Sequence, residues 1–115
     1  MQYLLLIYHD ENQWEASSEA EKQKVYGGYR ALREDLEKSG KFVGAHKLQP
    51  TSTATTVRLR NGNKSVTDGP FAETKEQLAG YILVEAKDPD DALAIAARIP
   101  SAETGRVEVR PVMPK

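Results

Sequence analysis

The chain has 115 residues, of which 39% are hydrophobic and 29% charged, and its 16 basic and 17 acidic side chains leave a net charge of −1. That length suits a single domain over residues 1–115 with a modest core, and the charge balance lacks the basic excess on which nucleic-acid binding depends. Cysteine is absent, which excludes disulfides, thiolate nucleophiles and cysteine-based zinc sites.

Residues 2–9 place Tyr3, Leu5, Ile7 and His9 on one face and Gln2, Leu4, Leu6 and Tyr8 on the other. Both faces are mainly apolar, so a central strand covered on two sides is expected. The apolar run ends at Asp10, too soon for a signal peptide or a membrane span. A soluble, cytoplasmic protein without membrane contact is the expectation. Trp14 follows in what reads as a polar loop. Ser18 and Glu21 then form a capping box that opens a helix ending near Gly40. Val25, Tyr29, Leu32 and Leu36 recur at helical spacing as its buried stripe, and the charged residues around them read as a solvated face.

A second strand is expected over residues 42–46 and a third over 54–60. Asn61-Gly62-Asn63 signals a hairpin, and the return strand, about residues 64–67, runs into Asp68. Residues 79–86 form another strand that is apolar on both faces. Asp88 and Pro89 open a second helix, Ala92, Leu93, Ile95, Ala96 and Ile99 supply its buried side, and Pro100 stops it. Residues 106–112 alternate as an edge strand does. The order β-α-β-(hairpin)-β-α-β is a ferredoxin-like α+β pattern. Two helices cover only one face of such a sheet, so the apolar second face predicts a symmetric homodimer.

Candidate chemistry concentrates in Asp68-Gly69-Pro70-Phe71-Ala72-Glu73-Thr74-Lys75-Glu76. Asp-Gly is a turn dipeptide, and Pro70 keeps Gly69 out of the helical region. Asp68 carries two readings: a carboxylate at the mouth of a cleft acting as base or ligand acceptor, and a turn aspartate accepting backbone N–H bonds. Lys75 suits an anionic ligand while the neighbouring acid Glu73 moves a proton, with Gly69 and Phe71 at the same corner; the alternative is an exposed charged segment, the reading favoured for Glu76, and for Phe71 a side chain that packs the loop down. His9 and His46, the only histidines, lie near strand ends where a cleft would open, and imidazole is the usual base near neutral pH. Two histidines without cysteine argue against a dedicated zinc site and leave only a His-carboxylate site open, and no glycine-rich loop or other cofactor pattern is present. Gly27-Gly28 inside the first helix suggests close packing.

The Asp68–Glu76 stretch resembles the signature of the YCII-related family, in the branch distinguished by the Asp-Gly-Pro-Phe tetrapeptide (DGPF). The similarity extends to Tyr3-Leu-Leu-Leu-Ile-Tyr8, Thr53-Ala-Thr-Thr-Val-Arg58, Ala97-Arg-Ile-Pro100 and Val107-Glu-Val-Arg-Pro111. The resemblance implies a dimeric α+β barrel. Some YCII-related proteins are thought to pair a histidine in the first helix with an aspartate, but residues 18–39 contain no histidine, so that pair does not carry over. Two functions follow as expectations. One is a small-molecule site in each protomer, between the sheet and the Asp68 loop, supporting cofactor-independent proton transfer or hydrolysis by Asp68 with a histidine. The other is a non-catalytic module with a protein partner linked to an alternative sigma factor, as the resemblance implies.

Overall fold

The strand β1 (Gln2–His9) takes the centre of the main sheet, as its two apolar faces require. In the computed structural model, which describes residues 1–115, β1 pairs antiparallel with β5 (Gln77–Glu85) on one side and β6 (Arg106–Pro111) on the other. β2 (Phe42–Lys47) pairs with the far side of β5, giving the order β2-β5-β1-β6. With one long helix between β1 and β2 and another between β5 and β6, this is the ferredoxin-like α+β arrangement that the sequence pattern predicts.

The long helix α2 (Glu19–Lys38) begins at Ser18, whose hydroxyl accepts from the Glu21 amide while the Glu21 carboxylate accepts from the Ser18 amide. α3 (Pro89–Ala97) begins at Asp88, whose carboxylate accepts from the Asp91 amide. Both helices lie on one face of the sheet. There Tyr3, Leu5, Ile7, Ile82 and Val84 pack with Leu32 and Leu36 of α2 and Ala92, Ile95 and Ala96 of α3. Leu93, expected among them, is exposed, because the step from Ala92 turns it about 100° around the helix axis. Gly28 has a packing role: a β-carbon there would stand 2.8 Å from Cγ of Pro100. The close approach brings the Tyr29 hydroxyl within 2.9 Å of the Ser101 hydroxyl.

Two further expectations are corrected. The segment after β1 is not all loop; it contains the short helix α1 (Glu11–Ala16), because the Asp10 carboxylate accepts from the amides of Asn12 and Gln13 and caps it. Phe71 does not pack its loop down, being 90% exposed.

The hairpin of β3 (Thr55–Arg60) and β4 (Asn63–Asp68) forms a separate two-stranded sheet. Asn61 and Gly62 sit at φ 51° and 80°, the left-handed pair that a tight two-residue turn requires. The arm is thin and exposed along most of its length. The radius of gyration, 16.1 Å, reflects this extension, since about 13 Å is usual for a compact chain of 100 residues.

Candidate functional site

A cleft of about 450 Å³ opens between α2 and the helix-covered face of the sheet, near the ends of β1 and β2. It exists because α2 packs tightly only over its second half. Leu32 and Leu36 are buried, whereas Val25 and Tyr29, on the same stripe, are half-buried and line the cleft. Tyr26, Arg30 and Arg33 follow at i, i+4 and i+7, so a neighbouring stripe of α2 forms one wall. The sheet supplies Ile7, Ala45, Gly80 and Ile82 as floor. Gly80 is required there, since a β-carbon would stand 2.6 Å from the His46 carbonyl oxygen.

His9 continues the Tyr3, Leu5, Ile7 alternation and so faces the helices. Its ring stacks on Trp14 of α1, with centroids 5.8 Å apart and planes 17° apart. Trp14 in turn meets Tyr26 edge to face at 5.7 Å. Burial holds the imidazole below its ordinary value of 6.5; nearby Lys47 lowers it further, while Glu11, Asp10 and Glu76 oppose the shift. His9 is therefore neutral at pH 7 and able to accept a proton.

Lys47 reaches over this aromatic wall from β2. Its Nζ stands 5.3 Å from the Trp14 ring and 4.9 Å from the Tyr26 ring, and it donates to the Tyr26 hydroxyl at 3.3 Å. Arg33 pairs with Glu37 at 3.3 Å and lies over the Phe42 ring at 4.5 Å. No carboxylate side chain lines the cleft. The Tyr29 hydroxyl is raised above its usual 10.0 by burial, against the opposing hydrogen bond with Ser101, so it stays protonated.

Of the other sequence-selected residues, only His46 contributes to the cleft lining beside His9. His46 pairs with Tyr81 across β2 and β5, between the helix-facing pairs Ala45 with Ile82 and Lys47 with Gly80. Alternation therefore turns His46 and Tyr81 to the open face, where Nδ1 of His46 and the Tyr81 hydroxyl are 2.7 Å apart. Asp68 ends β4 on the exposed arm and is absent from the cleft lining. Its corner is held by backbone instead: Gly69, at φ 95°, donates to the Ala54 carbonyl at 2.7 Å and accepts from the Thr56 hydroxyl at 2.8 Å. Glu73 and Lys75 are exposed in the following loop. Glu76 is half-buried and pairs with Arg106 at 3.4 Å. The loop then joins the cleft region through Gln77, whose side chain accepts from the Glu11 amide at 2.9 Å. The Glu11 carboxylate accepts from the amide and hydroxyl of Thr51, both at 2.8 Å.

Trp14, Tyr26, Arg30 and Lys47 are the residues that the sequence reading missed. The available signal was the 26, 30, 33 spacing beside the apolar stripe, together with a lone tryptophan immediately after a strand.

The fold and cleft define a class: a ferredoxin-like α+β protein with an aromatic, cationic groove between its first long helix and its sheet. The chain belongs to the YCII-related family, whose domain model matches residues 1–115. It is also similar to a protein of Rhizobium meliloti (strain 1021) described as uncharacterized. The two are 40% identical over 114 residues, covering 97% of this chain and 92% of the relative.

Proposed function

We propose that this protein binds a small organic molecule in the cleft between α2 and the sheet, and that His9 is the proton acceptor there in cofactor-independent chemistry. One observation carries the reading: a half-buried, neutral imidazole faces a largely apolar cavity of about 450 Å³, a size typical of small-molecule sites. A thermal-shift screen of small acids, lactones and alcohols tests it on wild type and on Ala45→Trp, which fills the cleft. A ligand at a hundred times its dissociation constant stabilises the fold by about 2.7 kcal/mol. Stabilisation of wild type alone is expected. Equal stabilisation of the filled variant, or none of either, contradicts the reading.

The Asp-Gly-Pro-Phe tetrapeptide places the chain in the DGPF-type branch in our reading, as a homodimer of single-domain protomers. The arm supports the dimer. Thr55, Val57 and Leu59 share a face with Asp68, Val66 and Lys64, and Val57, Leu59 and Val66 are 62%, 62% and 56% exposed. Docking that face on a second copy covers these side chains and brings Asp68 into the interface. Asp68, Gly69, Phe71, Glu73 and Lys75 then act at the subunit boundary, and His46 lies on the sheet face open to the second copy. Sedimentation velocity decides this: a dimer is expected, and a monomer at micromolar concentration directs the arm instead to a different protein, such as the sigma-factor-linked partner.

A further inference from the structure

We infer that the ligand of this cleft is an organic anion with a flat apolar body, its charge held by Lys47 and Arg30 and its body placed against Trp14 and Tyr26. This rests on the cleft being the small-molecule site proposed above. The cleft brings Lys47 and Arg30 to an apolar space without pairing either with a carboxylate. Neither Lys47 nor Arg30 forms an ion pair, while Arg33 is already engaged by Glu37. Lys47 has only ring faces and the Tyr26 hydroxyl as partners. Contact of an ammonium with a ring face is worth about 0.5–1 kcal/mol at an exposed site. A carboxylate accepts charge-assisted hydrogen bonds roughly twice as strong as neutral ones, so it displaces the ring contact favourably. The cavity walls then define the rest of the ligand. Trp14, Tyr26 and Phe42 together with the aliphatic floor offer apolar and aromatic surface, which inorganic phosphate alone leaves wet.

Trp14 is the sole tryptophan, so intrinsic fluorescence reports on the cleft without a label. The experiment titrates full-length protein with 3-phenylpropionate, with 3-phenyl-1-propanol as its neutral counterpart, and with inorganic phosphate. Wild type, Lys47→Met and Arg30→Gln are compared, each with its fold verified by circular dichroism. Both substitutions fall at exposed positions. The acid is expected to change Trp14 emission saturably and to bind about tenfold more tightly than the alcohol, a difference of about 1.4 kcal/mol. Each variant should weaken the acid and leave the alcohol unchanged. Equal affinity for acid and alcohol overturns the anion inference while leaving a small-molecule cleft in place. Phosphate binding as tightly as the acid overturns the apolar body. Silence from all three probes, together with a blank thermal-shift screen, removes the cleft as a ligand site and this inference with it.

Discussion

The cleft under α2 and the hairpin arm are both incompletely covered, yet they differ in kind. The cleft is concave, backed by the main core and walled by half-buried aromatic side chains. The arm is a two-stranded ribbon outside the main sheet, with valine and leucine side chains facing solvent. A lone hairpin is marginal in water, so in the proposed reading the arm packs on another polypeptide surface, whereas the cleft takes a small molecule. The family signature lies at the base of the arm, and the neutral imidazole lies in the cleft. In the proposed reading, chemistry and signature are therefore separated within one chain.

Substitutions can break that contrast, beginning with the core. Leu5→Ala beneath the helices should cost about 2–5 kcal/mol in urea denaturation, because Leu5 is fully buried between β5, β6 and the helices. Gly80→Ala should cost about 1–3 kcal/mol by overpacking against the β2 backbone, and should displace Lys47, which pairs with Gly80. On the arm, Val57→Asp should leave the far-ultraviolet circular dichroism unchanged and shift the sedimentation coefficient from dimer to monomer. An unchanged coefficient counts against the arm as the dimer contact.

The acid dependence should be smaller. Because burial lowers the folded-state pKa of His9 below 6.5, the unfolded chain takes up that proton first as pH falls. Its stabilising contribution is present above about pH 6.5, is lost as pH drops toward the lowered value, and then levels off. His9→Gln should flatten this part of a stability profile measured by denaturation between about pH 7 and 5. The smallest effect is expected from Glu37→Gln, which removes an exposed i, i+4 pair with Arg33 and should cost no more than about 0.5 kcal/mol.

Most of the fold was legible because its signals are local. The alternation of residues 2–9, the Ser18-Glu21 box, the Asn61-Gly62 turn and the Asp88-Pro89 helix start each state their geometry in a few residues. α1 was not legible: six residues carry no helical period, and its one signal, Asp10 as cap, also suits a turn. The candidate site was only partly legible. Val25, Tyr29, Leu32 and Leu36 share one stripe, but periodicity does not distinguish a residue packed in the core from one lining a cleft. Lys47 and Arg30 carry no sequence signal beyond their charge; the fold places Lys47 over Trp14 and Tyr26 and Arg30 in the cleft wall. Strand alternation settles the histidines only once register is known, and the β1–β5 irregularity between Ile7 and Tyr8 is invisible in sequence.

The central claim is that the cleft, and not the signature-bearing arm, receives the small molecule. Backbone amide shifts of isotopically labelled protein titrated with 3-phenylpropionate test it residue by residue. The account predicts saturating shifts at Trp14, Tyr26, Tyr29 and Lys47 with the arm unmoved. Shifts confined to Asp68, Gly69 and Phe71 would contradict it and return the site to the signature loop.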